Sequence, residues 1–253
     1  MPGRLDGKRA LIFGGGTGLG LACAKAMIHA GAHVFITGRR PEKLEEARNR
    51  LAGAQIGLAP GDFTRESDVA RVTQAAKAFL GGIDTLVVSS GRSTIGTVLG
   101  TSPGEFLDLM TTNLLGPYLA VRGVAEELVR SAPASIIMLA SIVATAAMKE
   151  RVAYCTSKAG VLGMTRAMAL DFAEHKVRVN AISPSLVLTE LAREILSKEA
   201  NPALTLARRQ AQHPLGRLGE PEEIGSAAVY LASEESAWMT GQNLIIDGGL
   251  SIV

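Results

Sequence analysis

Tyr154 and Lys158 are the residues of this chain best suited to acid–base chemistry as a pair. They stand four positions apart in a stretch that reads as helix, so both side chains project from one face. A free phenol ionises near ~10, and bringing it to about 7 takes roughly 4 kcal/mol of preferential phenolate stabilisation. An ammonium such as that of Lys158, together with a positively charged bound group, would supply it. Ser141 ends the apolar run Ile136 to Ala140, where its hydroxyl can hold and polarise a carbonyl. Each residue also has an ordinary role: Tyr154 in an amphipathic core, Lys158 on a solvated helix, Ser141 in a loop.

A second group of residues suits phosphate. The run Ala10 to Phe13 leads directly into Gly14-Gly15-Gly16-Thr17-Gly18-Leu19-Gly20, and a helix pattern follows. Glycines serve where a backbone turns sharply and meets a ligand, because a Cβ would clash there. The helix that follows offers free N–H groups and a positive dipole end. A glycine string alone is an ordinary turn, but one between the first strand and first helix indicates dinucleotide binding. At the tip of the next strand an acid would read the ribose 2′-hydroxyl of NAD, whereas arginine suits the 2′-phosphate of NADP. This chain has Arg39 and Arg40 and no acid before Glu42, so NADP(H) is favoured and NAD(H) is the alternative. Cations just before the helix at Pro41 oppose its dipole, and a phosphate would give them a purpose.

The elements that must position these groups are short apolar strands alternating with helices. Strands are expected at Ala10 to Phe13, His33 to Thr37, Leu86 to Ser89, Ile136 to Ala140, Val177 to Ile182 and Leu244 to Ile246. Nearly continuous apolarity marks strands buried on both faces. Helices are expected at Leu19 to Ala30, Pro41 to Leu51, Glu66 to Leu80, Glu105 to Arg130 and Val152 to Glu174. The alternation predicts an α/β fold, a Rossmann-like doubly wound parallel sheet with helices on both faces. No linker or internal repeat divides the 253 residues, so residues 1–253 read as one domain.

Composition agrees. An apolar share of 47% with 28 glycines but only six Phe, three Tyr and one Trp indicates small aliphatic packing and excludes a disordered chain. A net charge of +2 makes no strong field for nucleic acid. Two cysteines, Cys23 and Cys155, are too few for a disulfide framework and suit a reducing compartment. Met1 to Ala10 carries no readable signal peptide. The uncharged stretch Ser131 to Met148 contains Pro133, Ser135, Ser141 and Thr145 and reads as a strand and its loop, so a cytoplasmic protein without a membrane partner is expected. His29, His33, His175 and His213 lack metal-ligand spacing with the cysteines, and no metal is expected. Cys155 points about 100° around the helix from Tyr154 and reads as a packed thiol. The charged stretch Glu42 to Arg50 reads as a solvated helix face.

In order along the chain, these motifs resemble the short-chain dehydrogenase/reductase family from about Leu5 to Ile252. The glycine loop matches at Gly14, Gly18 and Gly20, and Asp62-Phe63 resembles the pair that touches adenine. Asn113 looks like the family's helix asparagine, which supports a water-linked proton path to the lysine. With Ser141, Tyr154 and Lys158 it completes the family's tetrad. The resemblance implies hydride transfer between a nicotinamide and a carbonyl or secondary alcohol, with Tyr154 giving or taking the hydroxyl proton. Ser141 would orient the oxygen, and Lys158 would bind the nicotinamide ribose and lower the tyrosine pKa. It also implies cofactor contacts from Gly14, Gly16, Thr17, Gly18, Leu19, Gly20, Arg39, Arg40, Asp62, Phe63, Ser90, Gly91, Tyr154, Lys158, Pro184, Val187 and Thr189. Residues 186–218 would form a substrate lid, with Leu186, Leu188, Leu191, Ile195 and Leu196 as an apolar lining for a hydrophobic or mixed small-molecule substrate. The long helices resemble those that pair subunits in the family's homotetramers.

Three departures stand out. Phe13 replaces the usual threonine before the loop, Val88-Ser89-Ser90-Gly91 replaces Asn-Asn-Ala-Gly, and Pro184-Ser185 replaces Pro-Gly. The altered Val88 to Gly91 segment leaves a catalytically silent nucleotide-binding sensor or scaffold as the competing reading.

Overall fold

The computed structural model describes residues 3–51 and 56–253, so the first two residues of the Met1 to Ala10 stretch lie outside the described residues. Seven strands form one parallel sheet in the order β3-β2-β1-β4-β5-β6-β7. They are β1 (Arg9–Phe13), β2 (His33–Gly38), β3 (Ile56–Pro60), β4 (Thr85–Val88), β5 (Ala134–Leu139), β6 (Val177–Pro184) and β7 (Asn243–Ile246). The order runs outward in both directions from β1 and β4. Their carboxyl ends therefore diverge into a crevice, where doubly wound sheets receive ligands.

Alternate residues of each central strand face opposite layers. Leu11 and Phe13 of β1 join a core with Val69, Val72 and Ala76 of α3 (Glu66–Leu80), Val124 and Leu128 of α5 (Gly116–Arg130), and Val161 of α6 (Val152–Ala173). Ala10 and Ile12 face the other core, with Cys23 and Met27 of α1 (Gly18–His29), Leu44 of α2 (Pro41–Arg50), and Ile224 of α9 (Pro221–Ala232). Continuous apolarity in the sequence is thus the trace of two cores sharing one sheet. At the opposite end, Arg9 Nε donates to buried Asp84 at 3.0 Å, tying β1 to β4.

Three elements differ from the sequence expectation. The long helix expected from Glu105 to Arg130 is α4 (Pro103–Met110), a π-helical turn (Thr111–Leu115) and then α5. Pro117 has no amide hydrogen, so in a regular α-helix the carbonyl of Asn113 would lose its donor. The chain changes register there, with the Gly116 amide donating to the Thr111 carbonyl, and π-helical turns of this kind cluster at functional sites. Strand β3, which the family resemblance implies before Asp62-Phe63, was not among the strands read from apolar runs, because Gly57 interrupts its short one. The segment after β6 contains two helices, α7 (Glu190–Ser197) and α8 (Pro202–Ala211), neither with a fully buried residue.

Helices α1 and α9 pack closely because Gly225 has no side chain: a Cβ there would lie 2.8 Å from the Ala22 carbonyl oxygen and 2.9 Å from Ala26 Cβ. Gly225→Ala should therefore destabilise the fold by about 1–3 kcal/mol. Gly163, an exposed position of α6 with open space around it, provides the control. Gly163→Ala should stabilise by about 0.5–1 kcal/mol. Urea unfolding midpoints of the two variants should move in opposite directions.

Candidate active site

One cleft of about 750 Å³ runs across the carboxyl ends of the strands. Its wall at the β1–α1 turn is backbone, for specific steric reasons. Gly14 has φ of +83°, and a Cβ on it would sit 2.7 Å from the Ser90 hydroxyl and 2.9 Å from the Ser90 amide nitrogen. Gly20 lies in the first turn of α1, where a Cβ would be 2.2 Å from the Gly14 carbonyl oxygen. The loop is thereby folded tightly onto the helix start, and the Ser89 amide donates to the Phe13 carbonyl at 2.9 Å. No side chain caps the amino end of α1. The resulting cradle is one that a Cβ would fill and a dinucleotide pyrophosphate fits.

Along the cleft lie Gly14, Gly16, Thr17, Gly18 and Leu19; then Arg39 and Arg40; then Phe63, Ser90 and Gly91; and finally Ser141, Tyr154, Lys158, Pro184, Val187 and Thr189. Three expected site residues are absent from its lining. Gly20 acts from behind, by letting the loop close. The carboxylate of Asp62 accepts from the Thr64 amide (3.0 Å) and hydroxyl (2.7 Å), so it shapes the turn after β3. The Asn113 side chain is committed to protein: its Oδ1 accepts from the Arg92 amide (3.0 Å) and its Nδ2 donates to the Arg92 carbonyl (2.8 Å) and to Ser157 Oγ (3.0 Å). It pins the loop after β4 to α6. Gly91 follows from that pinning, since a Cβ there would come 3.3 Å from Asn113 Oδ1 and 3.5 Å from Lys158 Nζ.

Lys43 lines the cleft beside Arg39 and Arg40, although the sequence placed it on a solvated face. Its position one turn into α2, three residues after Arg40, was the available signal. Among the described residues neither Arg39 nor Arg40 has a carboxylate within salt-bridge distance. Of the expected lid leucines and isoleucine, Leu186, Leu191 and Ile195 reach the cleft, while Leu188 and Leu196 are not part of its lining.

Burial dominates the electrostatics of the Tyr154–Lys158 pair. Lys158 is buried, and its Nζ donates to the Leu139 carbonyl oxygen at 2.8 Å. Burial pulls the ammonium down to about 8. Burial also pushes the Tyr154 phenol above its ordinary value, against the opposing pull of the Ser141 hydroxyl and of Arg151. Burial outweighs these two in the protein alone; the sequence reading expected the lowering from Lys158 together with a positively charged bound group. Ser141 itself is buried, and its hydroxyl oxygen accepts from the Val143 amide at 3.4 Å. Cys23, by contrast, is an inert core thiol, pushed up to about 12 by burial.

A chain with this topology, this glycine turn and this Ser141–Tyr154–Lys158 cluster belongs to the short-chain dehydrogenase/reductase family. The family model that matches, described as Enoyl-(Acyl carrier protein) reductase, covers residues 14–251. Among individual relatives, the chain is 36% identical over 249 residues to oxidoreductase asL5 of Sarocladium schorii, covering 98% of this chain and 97% of that protein. It is also 36% identical over 252 residues to D-threitol dehydrogenase of Mycolicibacterium smegmatis, covering 98% and 95%. The structure of Thermoplasma acidophilum aldohexose dehydrogenase superposes with a TM-score of 0.90 at 29% identity, covering 100% of this chain and 97% of that one. No helix among the described residues is long and apolar enough to cross a membrane.

Holding a buried ammonium costs stability, and the sign with pH follows. The unfolded lysine keeps its proton to ~10.4, whereas folded Lys158 loses it near 8. Between those values the unfolded state binds more protons, so native stability rises with pH. Lys158→Met removes the cost. It should melt above the wild type at pH 7, and the gap should narrow as pH rises from 8 towards 10 in parallel thermal melts.

Proposed function

We propose that this protein is an NADP(H)-dependent oxidoreductase that interconverts a carbonyl group and a secondary alcohol, with Tyr154 moving the hydroxyl proton. The observation that carries this reading is the convergence of the glycine cradle, the free Arg39 and Arg40 and the Ser141–Tyr154–Lys158 cluster on one cleft. The backbone at Gly14 to Leu19 and the amino end of α1 would hold the pyrophosphate, with Arg39, Arg40 and Lys43 around the 2′-phosphate. Phe63, Ser90 and Gly91 would bound the adenosine side, and Pro184, Val187 and Thr189 the nicotinamide side. A bound nicotinamide would supply or take up the hydride.

The chain's own residues handle the proton and the oxygen. Ser141 donates to the substrate oxygen and holds it beside the Tyr154 phenol. In reduction the phenol, raised by burial, is fully protonated at neutral pH and gives its proton to the developing alkoxide. In oxidation it must accept a proton as phenolate, and Lys158 at the same site supplies positive charge below about pH 8.

The names of two relatives, D-threitol dehydrogenase and aldohexose dehydrogenase, favour a substrate with further hydroxyl groups beside the reacting carbon. Leu186, Leu191 and Ile195 give the lid an apolar side, so the substrate surface is mixed. Leu107, Tyr118 and Leu170 are exposed on α4, α5 and α6, as are Trp238, Ile252 and Val253 near β7. These two apolar areas support a homotetramer. Two free cysteines suit a cytoplasmic setting.

Two measurements test the reading. Tyr154→Phe should lower kcat about 10²–10⁴-fold while NADPH binding, followed by fluorescence titration, stays within about twofold. Full turnover by that variant removes Tyr154 from the chemistry. Arg39→Ala should weaken NADPH by about tenfold or more and NADH far less, as expected for a lost charge-assisted contact. Tight NADPH binding without turnover across a panel of ketones and polyols identifies the silent sensor instead.

A further inference from the structure

Ser185, one of the departures from the family pattern, has a partner that gives its hydroxyl a direction. It follows Pro184 at the end of β6 and lines the cleft. Leu139 of β5 is in register with Ile182 of β6, and continuing that register two steps sets Ser141 beside Pro184. Ser185 is therefore the next residue along the wall that carries Ser141. Its φ is not positive, so no backbone strain calls for glycine there.

His213, which is 3% exposed, lies behind Ser185. Its Nδ1 is 2.8 Å from the Arg209 carbonyl oxygen. A carbonyl can only accept, so the ring hydrogen sits on Nδ1. In that tautomer Nε2 offers only a lone pair, and the Ser185 hydroxyl, 3.0 Å away, donates to it. A serine whose hydrogen is spent on an imidazole has its oxygen lone pairs left for a third group. From the lining of the cleft, that group is a hydrogen-bond donor on the substrate.

We propose that Ser185, fixed by His213, is a specificity-determining residue that accepts a hydrogen bond from a hydroxyl on the carbon next to the reacting one. The site then selects vicinal diols and α-hydroxy carbonyl compounds over simple alcohols and ketones. A neighbouring carbonyl, which cannot donate, finds no partner at this oxygen. Arg209 ties the same selection to the lid, because its backbone sets the His213 tautomer while its residue lines the cleft from α8. The inference rests on the oxidoreductase reading for the turnover experiment, but its hydrogen bond is a property of binding.

The test compares butane-2,3-diol with butan-2-ol, which share a carbon skeleton, in NADP⁺-dependent oxidation by the wild type, Ser185→Gly, Ser185→Ala and Ser185→Thr. The ratio of kcat/KM for diol over mono-alcohol should fall about tenfold or more in the glycine and alanine variants, as expected for one lost hydrogen bond. The threonine variant keeps the hydroxyl and should keep the ratio. An unchanged ratio in both the glycine and alanine variants overturns the proposal and leaves Ser185 as a tether for His213, a role that moves only the melting temperature. Should the wild type oxidise neither alcohol, the oxidoreductase reading fails separately. Calorimetric titration of the diol into wild type and Ser185→Ala then decides the inference on its own: binding that needs Ser185 sustains it, and equal or absent binding overturns it.

Discussion

The constraint on which the site depends is the approach of the β1–α1 turn to the chain leaving β4. Gly14 lies against Ser90, and Gly20 lies against the carbonyl of Gly14, at separations that admit no Cβ in either place. Backbone stands in the way at both places, the Ser90 amide nitrogen at 2.9 Å and the Gly14 carbonyl oxygen at 2.2 Å, so moving side chains alone cannot relieve them. They fix the start of α1 beside the point where β1 and β4 diverge, and hence where a pyrophosphate would meet the helix dipole. The loop after β4 inherits its course from the same contact. Asn113 then carries that course to α6 through Arg92 and Ser157. Cradle and chemical centre are thus two ends of one hydrogen-bonded path.

The chemical centre works against stability. Lys158 is an ammonium in a buried site, held by the Leu139 carbonyl, and both it and Tyr154 are shifted towards their neutral forms by burial. Such a pair is poised for function at the cost of folding free energy. The two apolar cores on either face of the sheet absorb that cost, since every central strand contributes to both. The sheet's small aliphatic side chains let the helices come close, as Gly225 does for α1 and α9.

Much of this was legible in the residues. The strands at Ala10, His33, Leu86, Ile136 and Val177 were readable because doubly buried strands leave unbroken apolar runs. Strand β3 was not, because glycine and proline occupy part of its length. The π-helical turn was missed because the helix was read straight through Pro117, the residue without an amide hydrogen that marks it. At the site, the glycine turn and the Tyr154–Lys158 pair were placed by spacing, and Ser90, Gly91, Pro184, Val187 and Thr189 only by resemblance to the family. Asp62 was expected at adenine and Asn113 on a water-linked proton path to the lysine; the hydrogen bonds of Asp62 Oδ1 to Thr64 and of Asn113 to Arg92 and Ser157 could not be read from spacing. A side chain's partner is set by what folding brings to it, which spacing does not contain.

By itself the sequence determined the layered α/β architecture, the glycine turn at the first βα junction and the shared helix face of Tyr154 and Lys158. These are properties of local pattern: burial on two faces, a missing Cβ, and a helical period. Only the tertiary structure decided how groups distant in the chain combine. It brought Lys43 to Arg39 and Arg40 along the cleft, buried Lys158 against β5, and set His213 from the segment after α8 behind Ser185 at the end of β6. Each of these depends on desolvation or hydrogen-bond direction, quantities that exist only once the chain has excluded water and fixed its partners in space.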